Sequence, residues 1–328
     1  MYIITGRLMS LLFVAMAPLM MAGNYINTRK RNQRQLQSQV AKFESQLDGL
    51  QNALTREREQ EVEVRRREAP SVAEVFNAAL ERTPLLWTRR PEHWSFLVLR
   101  LGSAQLASRN AIAPAPEIDE GMPEHSRRLT AVEEANKGVA GVPLVESGML
   151  CGALGIAGAS FGGDAARGLL VQLCGLHSPA DVVVVALTSP AERGDWDWMR
   201  WLPHATSPQS PMTGIHLADT EPTISKVLSE LESLATGRLG RRADEPPRGL
   251  GPLAEDLSAV ELAGHLGQGD LEPGYTGPVV VVLVTEHAPV DRSRLTQLAD
   301  RAFEAGVLPI WLAADPHSLP AVCRTFLD

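Results

Sequence analysis

The sequence predicts an α/β fold, with a mostly parallel sheet flanked by helices, and three observations support this prediction. Near-continuous apolar runs at 181–187, 278–286 and 307–314 have the length and composition of strands that are buried on both faces. Amphipathic, helix-like segments at 223–238 and 291–306 alternate with them. A further apolar run, MLCGALGIAG at 149–158, leads into a glycine-rich turn that opens a helix.

The N-terminal segment differs from the rest in its hydrophobicity. Residues 8–26 are apolar over nearly their whole length, which is about the length that a membrane-spanning helix needs. Arg7 precedes the segment, and the basic residues that follow it are Arg29, Lys30, Arg31 and Arg34. The positive-inside rule therefore predicts a transmembrane segment at 1–28 with the bulk of the chain in the cytoplasm. A signal peptide and a buried core helix are the alternatives.

Residues 29–83 are predicted to form a helical stalk. Apolar residues in it repeat with alternating gaps of four and three, at Leu36, Val40, Phe43, Leu47, Leu50 and Leu54. This heptad pattern fits a self-associating coiled coil, and it equally fits an amphipathic helix packed on its own domain. Near the end of the segment, Ser71 and Glu74 have the spacing of a capping box, which predicts a short helix through about Glu81.

Two further domains are predicted after the stalk. Residues 84–115 form a small β-containing subdomain, because WSFLVLRLGS at 94–103 has strand character and a proline-rich acidic stretch follows. Residues 116–328 then form the α/β domain. The formal net charge of −8 argues against a general nucleic-acid surface. Cys151, Cys174 and Cys323 lie in or beside apolar runs without metal spacing, and are predicted to be buried free thiols.

The glycine-rich turn nearly matches a phosphate-binding loop of the form G-x-x-x-x-G-K-[ST]. Gly158 and Gly163 have the required spacing, with Gly162 beside them. Asp164 stands where the lysine should be, and Ala165 stands where the serine or threonine should be. The lysine would supply positive charge to the β- and γ-phosphates and the hydroxyl would hold Mg²⁺, so both functions are absent. The turn is thus predicted to be a degenerate nucleotide loop.

The second half of such a site is altered as well. The run VVVVLVTE resembles the apolar strand that normally ends in Asp-Glu, but Thr285 takes the aspartate position and only Glu286 remains. Glu286 is therefore a weak catalytic candidate. We expect no ATP turnover and no bound cofactor. The alternative is an unconventional ATPase in which the Gly158 loop backbone and Glu286 serve ATP and Mg²⁺.

The stretch GDWDWMRWLPHA concentrates aromatic residues. Trp196, Trp198 and Trp201 are half of the six tryptophans of the chain. Such rings could anchor a partner, but a cluster that caps the core is the favoured interpretation. His204 follows without a nearby pair of metal ligands, so no metal site is predicted there.

Taken together, these segments resemble the EccC family, the membrane-bound FtsK/SpoIIIE-type ATPases of type VII secretion. LLWTRRPEHWSFLVLRLG at 85–102 is similar to the family's Leu-Trp-x-Arg-Arg-Pro stretch, which runs into a strand ending in Arg-Leu-Gly. Residues 142–187, with a His-Ser-Pro before the last strand, resemble the family's first ATPase-like domain. WDWMRWLPH at 196–204 is the most specific match. The membrane helix and stalk come in the same order.

This resemblance implies a RecA/P-loop-like fold with a degenerate site. The family's membrane-proximal domain generally lacks intact nucleotide motifs, and active FtsK-type modules follow it. The family has two membrane helices, and this sequence resembles only one of them. It also shows no match to the active modules. This is what we expect of a fragment or a split gene product. Hydrolysis and translocation are therefore not carried over.

The function that we expect is a non-catalytic one. The chain would be a scaffold of a secretion motor in the inner membrane, and it would couple a membrane channel to cytoplasmic ATPase rings. The implied partners are other secretion membrane components, FtsK-type ATPase modules and further copies of the chain in a hexamer. A DNA-translocating relative is the third and weakest hypothesis, because the chain is acidic.

Overall fold

The computed structural model describes the backbone of residues 2–110, 123–242, 277–302 and 304–328. Side chains are described in the same ranges except at residues 2–26, 123, 125, 126, 241, 242 and 302. The chain divides into two compact units. The first comprises residues 1–61 and 107–139, and the second comprises residues 62–106 and 140–328.

The helices are α1 (Tyr2–Glu68), α2 (Val72–Glu81), α3 (Pro123–Asn136), α4 (Gly162–Leu176), α5 (Arg193–Trp196), α6 (Glu221–Arg242) and α7 (Arg292–Ala302). The strands are β1 (Val98–Ala107), β2 (Gly138–Ser147), β3 (Leu154–Ala157), β4 (Val182–Leu187), β5 (Leu217–Ala218), β6 (Val279–Val284), β7 (Val307–Ala313) and β8 (Thr325–Leu327). Short 3₁₀ turns lie at Asp197–Trp201, Pro203–Ala205 and Pro316–Ser318.

The first unit is built on the long helix α1. Leu47 of the predicted heptad seam is buried within the unit, whereas Leu36 and Leu50 are exposed. An ion pair of 2.9 Å joins Glu44 to Arg128 of α3. Part of the seam thus packs on its own chain, and part of it faces solvent.

No helix is long and apolar enough to cross a membrane among the residues whose side chains are described. The apolar segment 8–26 belongs to α1, but its side chains lie outside those residues. The membrane span predicted there stays a prediction.

The second unit contains a six-stranded sheet in the order β5-β4-β6-β7-β3-β8. Every neighbouring pair in this sheet runs parallel, with Val184 opposite Val281 and Ile156 opposite Leu312, for example. The predicted mostly parallel α/β fold is therefore confirmed. Strands β1 and β2 form a separate two-stranded sheet.

The sheet is covered on both faces, which explains its near-continuous apolar runs. On one face, Val182 and Val184 of β4 belong to a core cluster that includes Leu169, Leu170 and Leu173 of α4. On the other face, Val185 and Leu187 belong to a cluster that includes residues of α6 and α7. Successive strand residues point to opposite faces, so both faces require apolar side chains.

Helix α2 packs closely on α4. Its N-terminus has the predicted capping box, in which the Ser71 N–H donates to Glu74 Oε2 (2.7 Å) and the Glu74 N–H donates to Ser71 Oγ (3.3 Å). Val75 lies directly over Gly175, where an added Cβ would come within 2.3 Å of the Val75 Cγ1 atom. The missing side chain of Gly175 thus permits the close approach of the two helices.

Candidate functional site

The candidate site lies at the carboxyl edge of the six-stranded sheet. Because the strands are parallel, the ends of β3, β4 and β6 reach this edge together. The glycine loop 158–163 follows β3, residues 188–192 follow β4, and residues 285–287 follow β6. In open α/β sheets this is the edge at which ligands bind.

The glycine loop is closed by two backbone hydrogen bonds, one to strand β7 and one within the loop. The Gly158 N–H donates to the Ala313 carbonyl of β7 (2.9 Å), and the Gly162 N–H donates to the Gly158 carbonyl (2.8 Å). A phosphate-binding loop instead aims such amides at its ligand. One amide at the start of α4 is therefore engaged inside the turn.

The Phe161 side chain covers the glycine loop. Its ring lies against Gly158, so closely that a Cβ added to Gly158 would come within 2.1 Å of the Phe161 Cε1 atom. Phe161 was not among the residues singled out from the sequence. A large apolar residue in the middle of a glycine-rich loop was the signal that could have identified it.

The lysine position is occupied by an ion pair. Asp164 Oδ1 accepts a hydrogen bond of 2.8 Å from Arg167 Nη2, one turn further along α4. The Arg167 guanidinium in turn lies 5.5 Å from the centre of the Trp196 ring. A carboxylate in the first turn suits the helix dipole, and it opposes an incoming phosphate. Ala165 packs half-buried against the core, and Gly163 faces Arg167.

A hydrogen-bonded cluster around Glu192 forms the other half of the edge. The buried Thr285 hydroxyl bonds to Glu192 Oε2 and stands 3.2 Å from Thr188 Oγ1. Ser189 Oγ donates to the same carboxylate at 3.0 Å, and His287 Nδ1 lies 2.8 Å from its Oε1 atom. Three of these hydrogen bonds converge on Glu192, which lies far from Thr285 in sequence and was not predicted.

The contacts in this cluster shift the pKa values of Glu192 and His287 in opposite directions. Burial raises the pKa of Glu192, but hydrogen bonds from Thr285, His287 and Ser189 outweigh burial, and the pKa falls below its ordinary value. The bond to Glu192 raises the pKa of the exposed His287. Glu286, the weak catalytic candidate, is partly exposed beside His287.

ATP and Mg²⁺ do not fit this edge. Asp164 presents a carboxylate where a phosphate needs a cation, Phe161 covers the loop, and Ala165 offers no oxygen to a metal. Within the described ranges, no group of three or more metal-ligating side chains is placed to hold a metal ion. The three cysteines are buried free thiols, as predicted, and burial raises the pKa of Cys174 to about 12.

The three clustered tryptophans occupy different environments. Trp196 is buried in the core cluster beneath α4. Trp198 packs half-buried against the same core and donates from Nε1 to the Asp195 carbonyl at 3.0 Å. Trp201 is 76% exposed, with the Arg200 guanidinium 5.0 Å from its ring centre. The structure thus places one ring in the core and one on the surface.

His204 belongs to a separate buried cluster. Its Nε2 atom lies 2.8 Å from the His177 carbonyl, and its Nδ1 atom makes no hydrogen bond within the described part of the chain. The Trp87 ring meets the His204 ring edge-on at 6.5 Å, and Trp87 Nε1 donates to the Cys174 carbonyl at 3.1 Å. Burial lowers the pKa of His204.

Arg89 and His177 complete this group. The Arg89 N–H donates to the Leu176 carbonyl at 2.9 Å, and His177 Nε2 accepts from the Leu97 N–H at 3.0 Å. Burial, followed by the Arg89 charge, lowers the pKa of His177 to about 3, so its ring is neutral. We call Trp87, Arg89, His177 and His204 the motif cluster, because each comes from a motif that carries the family resemblance.

Comparison with known proteins gives the following relatives. No family model matches the chain. Solved structures with a similar backbone include EssC (ATPases 2 and 3) from Geobacillus thermodenitrificans, with a TM-score of 0.42. The two sequences are 15% identical, and the alignment covers 74% of this chain and 37% of that one. EccC (ATPases 2 and 3) from Thermomonospora curvata, in complex with a signal sequence peptide, gives a TM-score of 0.34 and 15% identity over 52% and 26% of the two chains.

The sequence relatives are closer. ESX-4 secretion system protein EccC4 from Mycobacterium tuberculosis is 31% identical over 133 residues, which are 39% of this chain and 10% of that protein. The ESX secretion system protein EccC from Geobacillus thermodenitrificans is 28% identical over 176 residues, 52% of this chain and 11% of that protein. The matched region thus spans about a tenth of these relatives. The resemblance predicted from the sequence is confirmed: this chain is a homologue of the EccC proteins of ESX secretion systems.

Proposed function

We propose that this chain is a membrane-anchored, non-catalytic component of a type VII secretion motor, which couples a membrane channel to FtsK/SpoIIIE-type ATPase modules for protein export. Its relatives are ESX secretion proteins, which supports a role in such a motor. The state of the glycine loop supports the proposal that the chain is non-catalytic, because Phe161 covers the loop and Asp164 pairs with Arg167 there.

The charge at position 164 affects the affinity of the loop for a phosphate. A unit charge about 4 Å from a phosphate, at an effective dielectric constant near 20, contributes on the order of 4 kcal/mol. A lysine would supply this as attraction, and Asp164, which is exposed and paired with Arg167, does not replace it. The Arg167 guanidinium is already engaged by Asp164 and lies over Trp196. We therefore expect Mg-ATP affinity to be weakened by the missing attraction of the lysine, before the Phe161 ring is considered.

Calorimetry with the full chain tests the non-catalytic proposal. The natural chain is expected to show no Mg-ATP binding. The double variant Asp164→Lys, Ala165→Ser restores the charge and the hydroxyl, but the Phe161 ring still covers the loop, so we expect little gain. Adding Phe161→Gly opens the loop and should produce measurable binding. Micromolar Mg-ATP binding by the natural chain would instead support the unconventional ATPase that uses the Gly158 loop and Glu286.

We propose the following setting for this function. Residues 8–26 span the inner membrane, and the bulk of the chain lies on the cytoplasmic side, supported by the basic residues that follow the apolar segment. The partners are other secretion membrane components, FtsK-type ATPase modules and further copies of the chain in a hexamer. A reporter that is active only in the cytoplasm, fused after Asp328, should be active. Activity of an export-dependent reporter alone would refute the orientation.

A further inference from the structure

We propose that Arg89 is a positioning residue that locks the end of helix α1 to helix α4, the helix that opens at the glycine loop. We call this connection between the end of α1 and α4 the joint. It deepens the proposed coupling function and rests on that function for its biological meaning. The contacts that form the joint lie within the second unit, which includes the end of α1 from Val62 onward.

The end of α1 is held by two arginine side chains. The last carbonyls of a helix have no partner within the helix, and cations there also suit its dipole. Arg89 Nη2 donates to the Glu68 carbonyl at 3.0 Å. Arg100 Nη1 donates to the Ala69 carbonyl, just beyond the helix, at 3.1 Å. The stalk helix thus ends on donors that come from the segment before and within β1.

Arg89 connects this helix end to two further elements. Its Nη1 atom donates to the Val98 carbonyl at the start of β1. Its backbone N–H donates to the Leu176 carbonyl at the end of α4. Arg89 is only 5% exposed, and burial lowers the pKa of its guanidinium to about 10, which leaves it charged at neutral pH. One buried cation therefore bridges α1 and β1, while its own backbone is fixed to α4.

A second connection runs through Gln172 of α4. Its buried side-chain amide bonds both backbone groups of Arg100, as a neighbouring strand would. Oε1 accepts from the Arg100 N–H at 2.9 Å, and Nε2 donates to the Arg100 carbonyl at 2.9 Å. The two arginines that hold α1 are thereby both attached to α4. Since α4 begins at Gly162, a rigid helix links the joint to the glycine loop.

The geometry requires arginine at position 89. A guanidinium presents its donors in a fixed planar fork and can serve two carbonyls at once, whereas a lysine offers a single flexible ammonium group. Arg89→Met removes the donors with little change in apolar volume, and Arg89→Lys keeps the charge without the fork. The neighbouring Arg90 supplies the matched control, because its side chain is 62% exposed and pairs with Asp181 at 3.4 Å.

Hydrogen exchange on the full chain tests the joint. In Arg89→Met, amides of residues 62–69 and 98–101 should exchange at least tenfold faster, while β4 and β6 stay as protected as in the natural chain. Arg89→Lys should share this pattern in weaker form, and Arg90→Met should show no change. Unchanged exchange in Arg89→Met, or an equal increase in the sheet, would overturn the joint.

A distance measurement separates the joint from the proposed function. Spin labels at Val64→Cys on α1 and Glu221→Cys on α6 report on the second unit alone, and the natural thiols are buried. Arg89→Met should broaden the distance distribution and reduce export in a host that carries the complete system. Broadening with unchanged export would support the joint and overturn the coupling function. An unchanged distribution would overturn the joint and leave the proposed function standing.

Discussion

The carboxyl edge of the sheet and the motif cluster lie in the same unit but use polar residues in opposite ways. At the edge, Asp164 is 80% exposed and pairs with a neighbour on its own helix. In the motif cluster, His177 and His204 are 0% and 1% exposed, and their Nε2 atoms meet backbone atoms of other segments. The residues that carry the family resemblance thus maintain architecture, whereas the edge where chemistry would occur is occupied by residues that satisfy one another.

The largest change in stability is expected in the tryptophan group, which contains both a buried ring and an exposed ring. Trp196→Ala should lower the free energy of unfolding by about 3–5 kcal/mol, because it leaves a cavity in the core. Trp201→Ala should change it by less than about 0.5 kcal/mol, since the ring is exposed. Trp198→Ala should fall between them. Denaturant unfolding measures all three, and a large loss in Trp201→Ala would contradict the packing order.

A second test concerns the close approach of α2 to α4 beneath the motif cluster. Gly175→Ala would push a methyl group into Val75 and should cost about 1–3 kcal/mol of stability through overpacking. Gly237→Ala is the matched control, because the described residues leave the added Cβ on α6 in open space, apart from the backbone of its own helix. That control should be neutral or stabilising by up to about 1 kcal/mol, since alanine favours a helix. Equal melting temperatures for the two variants would refute the packing argument.

The pH dependence of stability tests the buried state of His177. Its pKa is about 3 in the folded protein and is near 6.5 when unfolded, so the unfolded state binds the extra proton between these values. Stability from this group is complete above about pH 6.5 and falls as the pH drops, by roughly 1–2 kcal/mol by about pH 5. His177→Gln should flatten this part of the profile, with His204 supplying a remainder of the same sign. An NMR titration that protonates His177 near pH 6 would contradict the structure.

The smallest effect is expected at the sheet edge. Glu192→Gln removes the charge that raises the pKa of His287, so that pKa should fall toward its ordinary value. NMR titration of His287 measures the shift, and Glu286→Gln is the control, since its charge contributes least to the raised pKa. A larger shift in Glu286→Gln would mean that the edge is organised around the predicted candidate instead of Glu192.

Much of the fold could be predicted because it depends on local pattern. The runs at 182–187 and 279–284 are apolar at every position, which is what a strand covered on both faces requires. The capping box at Ser71 and Glu74 is a local interaction and was found from spacing alone. The strand before the glycine loop was harder to delimit. It begins at Leu154, within the apolar run 149–158 and not at its start, because the Leu150 and Cys151 amides turn back to the Ser147 carbonyl.

The site was only partly predictable. The absent lysine and hydroxyl could be identified from the residues at 164 and 165. The role of Phe161 could not, because its ring folds back on Gly158 only once the loop closes on β7. Glu192 was missed for a similar reason, since it meets Thr285 across two strands that are distant in the chain.

The sequence alone therefore determined the class of the fold, the relationship to EccC and the loss of the charge and metal ligand at the glycine loop. These are properties of composition, period and residue identity at fixed spacing. Only the tertiary structure decided which residues meet: that Phe161 covers Gly158, that Glu192 organises the sheet edge, and that Arg89 reaches Glu68 and Val98. The physical reason is that burial and hydrogen-bond partners depend on long-range contacts, which one-dimensional spacing does not encode.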